Sequence, residues 1–267
     1  MARTQFGFFK FSLASSLKLA LLAVFVTVVQ TPQVLLAQGI PQRWEIKQYQ
    51  PPINIGAPRR VQGGGTRAPG SSCQMDGKPL KALIPGNRFG VTVSPYPTFF
   101  VYVPALSLEN SPRVEFVLED MEGNTIYSSS FKTSGSSGII SLSLPNQGGL
   151  SPLEVGKDYK WSFSIICQSD ERSQDITVEG WVRRVEVSPM LKTRLAQASR
   201  QTQVELYAEA EIWHDALATL VRLRRTNPND SALTATWTRL LQSAGLDALT
   251  QESLVPLSNT AVRPLQP

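Results

Sequence analysis

Tyr159-Lys160-Trp161-Ser162-Phe163-Ser164-Ile165-Ile166-Cys167-Gln168 carries the clearest period in the chain. Trp161, Phe163, Ile165 and Cys167 fall on one face, and Lys160, Ser162, Ser164 and Gln168 on the other. A period of two is the mark of a half-buried strand, here with its aromatic face inward. Short stretches of strand character lie around it: Phe89 to Val93, Thr98 to Val103, Val114 to Glu119, Thr125 to Lys132, Ile139 to Leu144 and Gln174 to Val187. Glycine and asparagine at positions 123 and 124 mark a hairpin connection between two of them. Seven strands at this spacing predict an antiparallel β-sandwich over residues 82–187, of immunoglobulin or fibronectin type.

The alternation places Cys167 on the inward face beside Trp161. The only other cysteine, Cys73, stands just before the first strand. In an oxidising compartment the two are expected to pair, stapling the end of the preceding segment to the sandwich; the alternative is two buried free thiols.

The compartment is read from the N-terminus. Arg3, Lys10 and Lys18, with no acidic residue, lead into the apolar stretch Leu19 to Val29 and a small-residue boundary at Ala37. Eleven residues fall short of the roughly 20 that a spanning helix needs, so residues 1–37 read as a cleaved signal rather than an anchor, and the destination as the periplasm or the medium. Three of the 26 basic residues leave with that segment, so 23 face 21 acidic ones. The mature chain is near neutral, which removes the argument for nucleic acid as a partner. Residues 38–81 hold Pro41, Pro51, Pro52, Pro58, Pro69 and Pro79 with the run Gly63 to Gly65 and no sustained period. They read as a linker.

After Val187 the period changes to that of helices. Ser188 followed by Pro189 is a capping oxygen and then a proline at the position where its missing N–H costs nothing. Helices are expected over Met190 to Ala198, Gln201 to Glu211, Trp213 to Arg225 and Ser231 to Ser243, closed by Gly245. Residues 188–246 thus form a helical subdomain, and 247–267 a disordered tail. Tyr207, Trp213, Ala216 and Pro228 resemble the key positions of one tetratricopeptide hairpin. Stable arrays generally need three repeats, so this hairpin reads as a cap docked on the sandwich.

Four further stretches resemble one family as a set: Arg59-Arg60-Val61-Gln62-Gly63-Gly64-Gly65-Thr66-Arg67, Pro97-Thr98-Phe99-Phe100-Val101-Tyr102-Val103-Pro104, Leu153-Glu154-Val155-Gly156-Lys157-Asp158-Tyr159-Lys160-Trp161-Ser162-Phe163, and Leu206-Tyr207-Ala208-Glu209-Ala210-Glu211-Ile212-Trp213-His214-Asp215-Ala216-Leu217. Together they are similar to the cyanobacterial domain of unknown function 928, over roughly Pro58 to Gly245. The resemblance implies an exported protein of this architecture and brings no activity with it. The run from Leu153 to Trp161 also resembles the strand entry of fibronectin-type domains, and fold analogy carries no function.

Residues able to do chemistry are sparse. His214 is the single histidine, which excludes multi-histidine metal sites. Its neighbour Asp215 points about 100° away on a helix, a poor geometry for orienting the ring. Asp120, Glu122 and Asn124 alternate like part of a calcium loop but lack its spacing. The serines from Ser128 to Ser137 lack a nucleophile elbow, and Arg222, Arg224 and Arg225 suit the negative end of a helix dipole. Phe99, Phe100 and Tyr102 cannot all face one core, so they are expected to form an exposed contact patch.

The expectation is therefore a non-catalytic, exported interaction module at the cell envelope. It takes no cofactor and no metal, and its partner is an envelope protein or glycan, with no membrane span once the signal is removed. Two alternatives stand beside it: a carbohydrate-active hydrolase using carboxylates such as Glu115, Glu119 or Glu179, and a structural subunit of an envelope or secretion complex.

Overall fold

The computed structural model describes residue 40 and residues 75–86, 88–106, 113–168 and 170–256. Among the described residues ten strands come first: β1 (Met75–Asp76), β2 (Lys81–Ala82), β3 (Phe89–Thr92), β4 (Thr98–Val103), β5 (Ala105–Leu106), β6 (Arg113–Glu119), β7 (Thr125–Lys132), β8 (Gly138–Ser143), β9 (Asp158–Ile166) and β10 (Ile176–Arg184). Four helices follow: α1 (Pro189–Gln197), α2 (Arg200–Glu209), α3 (Trp213–Thr226) and α4 (Ser231–Ser243). The described part of the chain is thus a β-plus-α fold.

The strands form a five-stranded sheet in the order β3-β10-β9-β6-β7, a three-stranded sheet β2-β4-β8 and the pair β1-β5. All strand pairs are antiparallel except β3 with β10. The fully antiparallel arrangement expected from the strand spacing is corrected at this point. After β3 the chain crosses to the other sheet instead of turning back in a hairpin, so β3 runs beside β10 in the same direction.

β9 keeps the alternation read from the sequence. Trp161, Phe163 and Ile165 are buried against Phe116 and Phe99, in a core shared by the two larger sheets. Cys167 lies just past the strand, half-buried against that core. Its expected partner Cys73 lies outside the described residues, as do the signal, 1–37, and most of the linker. At the β6–β7 turn, Asp120 accepts hydrogen bonds from the backbone N–H groups of Glu122 and Asn124 and from Asn124 Nδ2. The carboxylate is consumed in holding the turn.

β4 corrects a second expectation. Phe99, Phe100 and Tyr102 are at most 3% exposed, so they form no surface patch. The strand lies between two layers: Phe99, Val101 and Val103 enter the core between the sheets. Phe100 and Tyr102 enter a second core made with Trp213, Leu217, Leu220 and Trp237 of α3 and α4. Each face of the pleat meets a different partner, which is why the run Thr98-Phe99-Phe100-Val101-Tyr102-Val103 is apolar almost throughout.

The helices start and stop where their caps say. Ser188 Oγ accepts from the Leu191 N–H, Ser199 Oγ from Thr202 and Asp230 from Ala232 and Leu233. Gly245, at φ +71°, ends α4, with its N–H on the Gln242 carbonyl and that of Leu246 on Leu241. Trp213 Nε1 donates to the Leu83 carbonyl at 2.9 Å, tying α3 to the segment after β2. α3 and α4 share their core with the three-stranded sheet, so the helical part packs directly on the strands.

Order extends past both expected limits. Leu80 is fully buried and β1 pairs with β5, inside the predicted linker. In the predicted disordered tail, the Ile139 N–H donates to Ser253 and the Val255 N–H to Ile139, so residues 253–255 extend the edge at β8. Trp237 Nε1 reaches the Thr250 carbonyl, and Lys78 pairs with Glu252. Residues 257–267 lie outside the described part. Among the described residues, no helix is long and apolar enough to cross a membrane.

Candidate functional site: a polar cleft between two helices and a strand connection

Helix geometry supplies two walls of the cleft. On α2, Arg200, Gln203 and Tyr207 are spaced by three and four and share a face, while Val204 and Ala208 point into the helical core. On α3, Asp215, Thr219 and Arg222 do the same. The two helices are joined by the three residues 210–212, with Glu211 in the left-handed region at φ 58°. Counted outward from that turn, Tyr207 is level with Asp215, Gln203 with Thr219, and Arg200 with Arg222.

The third wall is the connection from β3 to β4. Asp215 Oδ2 accepts from Thr92 Oγ1 at 2.7 Å and from the Val93 N–H at 3.0 Å. Thr92 Oγ1 accepts in turn from the Ser94 N–H at 3.0 Å. Together with Ser94, Tyr96 and Thr98 these residues enclose a cleft of about 190 Å³. That is smaller than the roughly 300–1,000 Å³ of sites for drug-sized ligands.

Burial sets the protonation of its groups. The Asp215 carboxyl is pushed above the usual carboxylate range by loss of water, an effect opposed by its bonds from Thr92 and Val93. Burial also raises the Tyr207 phenol, helped by the Asp215 charge and opposed by Arg200 and Arg222. His214 is pushed down to about 4 by burial. Its Nδ1 lies 3.3 Å from the Thr98 carbonyl, an acceptor, which places the ring proton on Nδ1. Nε2 has no hydrogen-bond partner among the described residues and points at Gly90. A proton on it would find no acceptor.

The structure separates His214 and Asp215: the imidazole packs edge-on against Phe99 at 5.1 Å, and the carboxylate turns to the strand connection. Of the three arginines late in α3, only Arg222 lines the cleft. Arg224 stacks on Trp237 at 4.6 Å, and Arg225 donates to Ser141 Oγ. Glu115, Glu119 and Glu179 lie on the opposite face of β6 and β10 from the inter-sheet core, paired with Arg172 and Lys160. Among the described residues no group of histidine, cysteine, aspartate and glutamate could hold a metal ion. The sequence reading missed Arg200, Gln203, Tyr207 and Thr219. The available signal was a polar stripe on α2 opposite Val204 and Ala208.

The arrangement can hold a small polar group between fixed walls. No curated protein matches this chain. Residues 62–254 match the family model described as Domain of Unknown Function (DUF928), and the chain belongs to that family.

Proposed function

We propose that the protein is an exported, non-catalytic binding module of the cell envelope, and that the cleft of α2, α3 and the β3–β4 connection is where it binds. The observation that carries this reading is the state of the cleft's ionisable groups. Asp215 is spent on bracing the wall, and His214 has its ring nitrogens turned to Thr98 and Gly90. Among the described residues, Arg200 and Arg222 of the cleft meanwhile have no carboxylate partner. A site of that kind recognises; it has no base poised on a nucleophile. The export half of the reading rests on Arg3, Lys10, Lys18 and the apolar stretch Leu19 to Val29.

On the same footing we read the two larger sheets as an immunoglobulin-like sandwich, supported by their shared core around Trp161. We read α2 and α3 as a tetratricopeptide-like hairpin, supported by Tyr207, Trp213, Ala216 and Pro228, and Cys73 as the disulfide partner of Cys167. The hydrolase alternative draws no support from Glu115, Glu119 and Glu179, whose charges are matched by Arg172 and Lys160.

Two measurements test the proposal. Residues 1–37 fused to alkaline phosphatase should give active enzyme outside the cytoplasm; an inactive, cytoplasmic fusion removes the export half. The purified protein should be stabilised against heat by a fraction of envelope extract without consuming it. Release of sugar from envelope glycan, or no stabilisation by any protein or glycan fraction, overturns the binding half.

A further inference from the structure

We infer that the cleft is a site for a small oxyanion, a carboxylate or phosphate group held between the guanidinium groups of Arg200 and Arg222 and the hydroxyl of Tyr207. This inference rests on the binding-module reading and deepens it by naming the chemistry of the ligand.

Three other arginines are paired with carboxylates. Arg172 pairs with Glu115 and Asp175, Arg183 forks onto Asp158, and Arg194 meets Glu209. Among the described residues Arg200 and Arg222 have no such partner, and the turn between their helices sets them level with each other. Two like charges facing one cleft repel, and an anion between them removes that cost.

Arg200 is also held in place without being neutralised. Its Nη1 donates to Gln203 Oε1 at 3.0 Å. The Gln203 amide is anchored in turn on the Leu195 and Ala198 carbonyls at the end of α1. This contact restrains the fork before a ligand arrives, which lowers the entropy cost of binding. Tyr207 adds a hydroxyl that makes no hydrogen bond among the described residues, and a planar fork plus a hydroxyl suits oxygen acceptors.

Among the described residues, Asp215 is the one acidic group lining the cleft. Its Oδ2 is engaged by Thr92 and Val93, and burial favours its neutral form, so its repulsion of an anion is reduced. The cleft's small volume limits the bound portion to a headgroup or a chain end.

The test is calorimetric titration of the purified protein at low ionic strength with inorganic phosphate and, separately, with acetate. Sodium chloride of equal ionic strength serves as the reference. Binding of either anion above chloride is expected, and the tighter of the two identifies the group. Arg200→Gln and Arg222→Gln should each weaken it about tenfold with unchanged unfolding midpoints, while Lys192→Gln on the exposed side of α1 should leave it unaltered. No binding above chloride overturns the inference, as does equal weakening by Lys192→Gln or indifference to both arginine variants. Failure here with envelope fractions still stabilising the protein leaves the module reading standing; anion binding with no envelope ligand does the reverse.

Discussion

The imidazole of His214 fills the space that a side chain at position 90 would occupy: a Cβ on Gly90 would stand 2.3 Å from His214 Nε2. The ring is sealed between β3 and Phe99 by this contact, and α3 can approach the sheet only because β3 carries glycine there. Gly90→Ala should therefore destabilise the protein by about 1–3 kcal/mol through overpacking. Urea unfolding of Gly90→Ala, His214→Ala and the double variant measures it. The two substitutions should be less costly together than their separate effects predict, because removing the ring vacates the space; strict additivity would mean that the residues do not touch.

The same burial makes stability depend on pH. His214 titrates at about 4 in the folded chain, against the usual 6.5. Between those values the unfolded chain binds the extra proton, so stability is full above 6.5 and falls as pH drops to 4. The loss is about 3 kcal/mol, and it should be absent in His214→Gln. Asp215 acts in the opposite sense above its usual 3.8, because its folded value is raised, and it is common to both proteins. Unfolding free energies at pH 7, 5.5 and 4 with equal slopes for the two proteins would contradict this account.

Phe99 and Phe100 face different cores, so truncating either should cost about 3–5 kcal/mol. Substitutions at a solvent-facing patch stay within about 0.5 kcal/mol. Chemical denaturation of Phe99→Ala and Phe100→Ala separates the two cases, and a small effect at either position would return that ring to the surface.

Truncation after Leu249 removes the hydrogen bonds of Ile139 with Ser253, Val255 with Ile139 and Trp237 with Thr250, together with the Lys78–Glu252 ion pair. At roughly 1 kcal/mol per hydrogen bond, the melting temperature should fall, and the Ile139 amide should exchange faster with solvent. A truncated chain that melts like the whole protein would show that this segment contributes nothing.

The proposed Cys73–Cys167 bridge should appear as a mass gain of two hydrogen atoms on reduction of the protein. Its rupture should lower stability by at most about 4–5 kcal/mol, the chain-entropy ceiling for so long a loop. Two thiols that alkylate without reductant would refute it.

The strands were largely legible because a half-buried strand imprints its period on the residues, as β9 does. The helices were legible from Ser188, Asp230 and Gly245, whose side chain or backbone freedom satisfies helix ends locally. β4 was misread as partly exposed because alternation reports one buried face, and this strand has two. The cleft was hardly legible: Arg200 and Arg222 are 22 positions apart, and nothing in either neighbourhood indicates that a three-residue turn will bring them level.

By itself, the sequence determined the local choices: where strands alternate and where helices are capped. These follow from interactions within a few residues of each position. Only the tertiary structure decided that β3 runs parallel to β10, that residues 253–255 close the edge at β8, that His214 rests on Gly90, and that two arginines share a cleft. Each of those depends on packing between segments far apart in the chain, where the deciding energy belongs to the pair of surfaces and is written in neither one alone.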